Sequence, residues 1–226
     1  MKWLVGGLCL TAAAVVELVS TFASVSLSGS PQQVLSAIAA NPTGLKIESY
    51  SSVVLPVLLV PGLLPTLGIV GTQGRNFIYV GTCLTLMGGF GHAVVGVAGL
   101  SLLGLATSGN DRGQMANLVD PVAINALAVG LPLLFVAFVG LVVWVIGLLR
   151  AKWIAVWVLV VYVVWFLVQS PLGTPLTNSH WGLLVSQVPF AVVFGWIGIR
   201  MIQQAYRLSE AKPGAVSTPG SLPATS

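Results

Sequence analysis

The chain reads as an all-α polytopic membrane protein, a six-transmembrane-helix bundle with N and C termini cytoplasmic. Three observations predict this. Hydrophobic residues fill 56% of the 226 positions and charged residues 6%, whereas a soluble domain carries roughly 25% charged residues. The apolar runs are continuous over about 20 residues rather than alternating over about 10, which selects helices over a barrel. Seven of the nine lysines and arginines fall on one side of the resulting topology. In lipid the backbone must satisfy its own hydrogen bonds, so each run becomes one helix.

The first span, 3–26, follows Lys2. A cleaved signal peptide is the rival, because Ser20–Ser26 is rich in small residues; the length of the run and Glu17 within it argue against that reading. The outer loop 27–52 holds a short interfacial helix. Ser30-Pro31 supplies a cap followed by proline at the first helical position, and Asn41-Pro42 ends the helix. Its apolar face, Val34, Leu35, Ile38 and Ala39, would rest on the membrane surface. Span two, 53–72, carries Pro56, Pro61 and Pro65, which kink it and free carbonyls.

Span three covers 77–105. Asp111-Arg112 in the loop after it reads as a solvated turn pair, and Asp120-Pro121 repeats the cap-then-proline signal at the start of span four, 121–149. Span five is 152–170 and span six 181–203, so the bundle occupies 1–208. The Pro-, Ser-, Thr- and Gly-rich stretch 209–226 reads as a disordered cytoplasmic tail. Lys2, Arg75, Arg150, Lys152, Arg200, Arg207 and Lys212 lie on the inner side, against Lys46 and Arg112 outside. This positive-inside bias places both termini in the cytoplasm and fits a multi-pass protein of a plasma (inner) membrane. The net charge of +4 is thereby a topology signal, and no nucleic-acid partner is expected.

Cys9 and Cys83 sit apart in apolar runs and read as small buried hydrophobes. No phosphate loop, HExxH, nucleophile elbow or Cys/His cluster occurs, so no metal or cofactor is expected. His180 lies at the outer surface, too shallow to pair with His92 on a haem.

The stretch Leu35-Ser36-Ala37-Ile38-Ala39-Ala40-Asn41-Pro42-Thr43-Gly44-Leu45 resembles a loop in an uncharacterised family of small six-span bacterial membrane proteins of unknown function. The resemblance covers the first two spans and the overall layout, and implies no functional residue.

Candidate functional residues come from depth. At 1.5 Å per residue Glu17 lies about 21 Å from the inner end of its span, and His92 lies at a similar depth on span three. Asn125, Gln169 and Gln187 fall in the outer half of spans four, five and six. Gly6, Ala13, Ala14, Ser20, Thr21 and Ser24 flank Glu17 at helical spacing; Thr85, Gly88, Gly89, Gly96 and Gly99 flank His92. Small residues let helices approach closely in lipid, so both ionisable groups are expected to face the bundle. An ionisable side chain at that depth is a functional-site hypothesis by default. A carboxyl meeting an imidazole can pass a proton near neutral pH.

The leading reading is therefore an outer-half polar pocket that binds or moves a small apolar molecule, with Glu17 and His92 as proton-handling residues. Ser20, Asn125, Gln169 and Gln187 would contact the ligand. Two alternatives stand beside it. One is a membrane-embedded acid–base enzyme, an isomerase or cyclase on a lipid-soluble substrate. The other is a non-catalytic subunit of a membrane complex. The blander reading of Glu17 is a neutral carboxyl acting as interhelical glue, worth about 0.6 kcal/mol. Membrane lipid is the expected surrounding partner in every case.

Overall fold

The computed structural model describes residues 1–25, 27, 29–69, 73–108, 111–169 and 180–210, with the side chains of 112, 166, 169 and 180–186 outside that description. The described residues fold into seven helices: α1 (Lys2–Ala23), α2 (Pro31–Ala40), α3 (Pro42–Leu63), α4 (Arg75–Thr107), α5 (Arg112–Arg150), α6 (Val156–Gln169) and α7 (His180–Glu210). A 3₁₀ turn, Leu64–Gly68, continues α3. Five of these segments are long and apolar enough to cross a membrane.

The surface is apolar, as a lipid-bathed bundle requires. On α1, Leu8, Val15 and Phe22 recur every seven residues and are about half exposed, while Gly7, Ala14 and Thr21, one residue earlier, are buried. Small residues thus face protein and large ones face lipid. The same division sets the tightest crossing. On α4, a Cβ added at Gly81 would overlap the backbone of Trp144, and one at Gly88 the backbone of Ala137. On α5, one at Gly140 would lie 2.5 Å from the Thr85 nitrogen. These contacts keep one antiparallel register along the whole α4–α5 hairpin. A second backbone-close crossing joins Gly7 of α1 to Gly198 of α7.

The helices α4 and α5, at 33 and 39 residues, would measure about 50 and 58 Å, well beyond a hydrocarbon core of about 30 Å. Their far ends are covered by α2. Val34, Leu35 and Ile38 pack there with Leu45, Leu102, Ala116 and Val119. The apolar face expected to rest on the membrane surface is thus turned inward, with Ile38 fully buried. The cap at Ser30 forms: its hydroxyl accepts from the Gln33 N–H at 3.4 Å, and the Gln33 amide oxygen accepts from the Ser30 N–H at 2.8 Å. Asn41 ends α2 and also caps α3 by accepting from the Gly44 N–H at 3.0 Å.

Two expected starts move. The sequence predicts that the fourth span begins at Asp120-Pro121, yet α5 begins at Arg112 and runs through Pro121. Its cap is Asp111, whose carboxylate accepts from the Gly113 N–H at 2.9 Å, so Asp120 is an exposed mid-helix residue and caps nothing. The reason lies in packing. Ala116 and Val119 bury themselves under α2 only if the helix continues, and that outweighs the one backbone bond lost at a proline. Likewise α3 begins at Pro42 rather than near 53, because Leu45 and Ser49 are buried against α4.

The expected fifth span begins later than its sequence suggests. Residues 151–155 form a turn with Lys152 in the left-handed region at φ 58°. The Trp153 N–H bonds back to the Leu148 carbonyl at 3.0 Å, which closes α5 in the manner of a Schellman motif. Beyond this turn α6 has 14 residues and a length of about 21 Å. The expected tail 209–226 lies outside the described residues beyond Glu210.

Candidate functional site

Three helices carry polar side chains to one internal void. Glu17 comes from the middle of α1, where the α1–α7 crossing at Gly7–Gly198 and the seating of Leu10 on Gly62 of α3 fix its rotation. His92 comes from α4. Its neighbours Gly88 and Gly91 abut α5, while Gly89 and Gly96 abut α3, so the imidazole stands between two walls of close helices. Gln187 comes from α7, one turn before Phe190.

These three side chains line a cavity of about 210 Å³ together with Trp165, Phe138 and Phe190. Glu17 and His92 are each partly buried. They line the same space. Among the described residues neither the Glu17 carboxyl nor the His92 ring makes a hydrogen bond, which leaves both available to a guest.

Gln187 is oriented by Trp165. The indole N–H donates to the Gln187 amide oxygen at 3.1 Å. An indole can only donate, so this bond uses the amide oxygen, and the amide NH₂ makes no hydrogen bond among the described residues. The cavity therefore offers a carboxyl, an imidazole and an amide donor within apolar and aromatic walls. That set suits a small molecule with a hydrogen-bonding group on an otherwise apolar body.

The cavity has a neighbour on the lipid side. A groove of about 270 Å³ runs between α3 and α4, and it shares Leu59, Thr85 and Gly89 with the inner cavity. Val57 and Phe90, both strongly exposed, form its rim. Toward the end of the bundle that carries Lys2 and Arg150 the core is closed. Trp144, Tyr162 and Phe194 are fully buried there, and the Trp144 indole donates to Thr66 Oγ1 at 3.0 Å.

The expected site is thus brought together in part. Glu17, His92 and Gln187 share the cavity. Ser20, three residues beyond Glu17, is partly buried but lies off its lining. Asn125 is exposed on α5 and does not reach the cavity: the face of α5 turned inward is the one through Leu134, Ala137 and Leu141, to which Asn125 does not belong. The Gln169 side chain lies outside the described residues. Sequence reasoning misses Trp165, which no depth or motif argument singles out, and Glu48, which falls in the expected outer loop 27–52. The i to i+4 relation of Gly44, Glu48 and Ser52 is the signal that a helix begins before Glu48. Among the described residues no group of histidines, cysteines and carboxylates could hold a metal ion.

No family model, curated protein or solved structure matches the chain.

Proposed function

We propose that this protein binds a small, largely apolar molecule within the bilayer and moves it in a proton-linked step. In this reading it is a six-span plasma-membrane protein with both termini cytoplasmic, α6 being the fifth crossing. The observation that carries the reading is the cavity onto which Glu17, His92 and Gln187 all open. An unpaired carboxyl and an unpaired imidazole at membrane depth are expensive to keep. A guest that accepts from Gln187 and exchanges a proton with the other two would use both. The adjoining lipid-side groove supplies a route for a molecule that already resides in the membrane.

The test is to purify the wild type, Glu17→Gln and His92→Ala from their own membranes and compare co-purifying small molecules by native mass spectrometry. A molecule retained by the wild type should be lost from both folded variants. Equal retention by all three would end this reading. The closed aromatic core on the Lys2 side favours one second reading, an acid–base enzyme whose substrate enters and leaves by the same face. In that case Glu17→Gln retains its substrate and loses turnover, whereas a transporter loses pH-dependent flux.

A further inference from the structure

A second and separate cavity lies at the α2-covered end of the bundle. Its volume is about 330 Å³, and it is enclosed by α2, α3, α4 and α5 with Leu27 and Gly29 of the α1–α2 link as part of its roof. That volume falls at the small end of ligand sites.

Its chemistry differs from that of the inner cavity. Most of the wall is apolar, from Val34 and Leu45 to Leu102 and Leu127. Two carboxylates line it, Glu48 from α3 and Asp120 from α5, and among the described residues no lysine or arginine does. The Glu48 carboxylate is partly buried, and its one hydrogen bond among the described residues is from the Val25 N–H at 3.3 Å. Ser49 is 3% exposed and also lines the cavity. Its hydroxyl makes no hydrogen bond with any described residue and lies against Gly99, where a Cβ would cover it. A carboxylate with a single backbone donor and a hydroxyl that makes no hydrogen bond among the described residues thus both line an apolar void and can take a partner.

We propose that this cavity is a binding site for a small organic ammonium ion, its apolar body held between α2 and α5 and its N–H groups donated to Glu48 and Ser49. Charge decides the class: two acids, with no basic side chain in the described lining, select a cation. Ligand geometry decides against a metal ion, since no third His, Cys, Asp or Glu joins them among the described residues. An ammonium also matches the mixed wall, because its three donors serve Glu48 and Ser49 while a short alkyl chain replaces water along Val34, Leu102 and Leu127. Asp120, exposed on α5, stands at the wall as a longer-range attractor. The site shares no lining residue with the inner cavity, and the proposal does not rest on the role assigned to that cavity.

The experiment uses the full chain in lipid nanodiscs and titrates n-hexylammonium, n-hexanol and n-hexanoate by calorimetry, with empty nanodiscs subtracted. Hexylammonium should bind saturably, and the neutral and anionic probes at least about tenfold more weakly. Glu48→Gln should weaken hexylammonium by about tenfold or more, with Ser49→Ala giving a smaller loss. If Glu48→Gln proves unstable, Leu127→Trp at the exposed rim fills the cavity and should give the same loss. Equal binding of the three probes overturns the proposal. So does unchanged affinity in both Glu48→Gln and Leu127→Trp, or displacement of hexylammonium by equimolar sodium or magnesium. Loss in Glu17→Gln with retention in Glu48→Gln would place the cation in the inner cavity and likewise overturn it.

Discussion

Trp165 donates its indole N–H to the amide oxygen of Gln187 at 3.1 Å, and this bond ties α6 to α7 at the wall of the inner cavity. Phe138 and Phe190 pack on the same indole, with ring centroids 5.3 and 5.1 Å away, so the ring cannot turn to another acceptor without repacking. Gln187→Ala should therefore leave a part-buried donor unpaired and cost about 1 kcal/mol in a reversible unfolding titration in mixed micelles. Trp165→Phe removes donor and indole together. In the double variant the two losses should be less than additive by about 0.5 kcal/mol or more. Strict additivity would show that the bond carries no stability.

The α4–α5 seam makes a sharper stability prediction. Gly88→Val places side-chain carbon where the backbone of Ala137 already lies. The two longest helices must then separate, and the expected cost is about 1–3 kcal/mol or loss of the folded protein. Gly104→Ala on the same helix has nothing within 4 Å of the new methyl and should stay within about 0.5 kcal/mol of wild type. Thermal unfolding of the two side by side is the check. Equal effects would mean that close approach along the hairpin does not hold it together.

Gly89 separates the inner cavity from the lipid-side groove, and a Cβ there would lie 2.9 Å from the Pro56 side chain. Gly89→Leu should close the communication between the two spaces. If guests enter sideways from the bilayer, the variant should fold and yet lose most of the retained small molecule seen with wild type. Retention unchanged in a folded Gly89→Leu protein would direct attention to entry from the α2 end instead.

These tests rest on a site that is only partly legible in the sequence, and the reasons are physical. Periodicity and charge bias are enough for an all-helical membrane bundle, because lipid leaves the backbone few options. Depth is also legible, since rise per residue is constant; it puts Glu17 and His92 at one level. Rotation is legible where small residues mark a crossing, as around both of those groups. Asn125 is placed by depth alone, without such marks beside it, and is therefore expected in a cavity that its face does not reach. The α2 end misleads for another reason. Asp120-Pro121 and Glu48 look like loop punctuation locally, and only the burial of Ala116, Val119, Leu45 and Ser49 under neighbouring helices keeps α5 and α3 helical there.

The span count turns on α6, and one labelling experiment decides it together with the orientation. Basic and aromatic side chains gather at the end opposite α2. Arg75 lies over Tyr79, Arg150 over Phe77, and Arg200 over both Trp153 and Trp196. Such a girdle fits the cytoplasmic interface. Lys46 near the start of α3 and Glu210 at the end of α7 are both exposed. Five helices separate them if α6 crosses and four if it does not. In a Cys9→Ala, Cys83→Ala background, Lys46→Cys should react with an impermeant maleimide on intact cells. Glu210→Cys should react only after the membrane is opened. Labelling of both from one side would mean that α6, at 14 residues, re-enters rather than crosses. Labelling in the reverse sense would retain the six crossings and invert the protein.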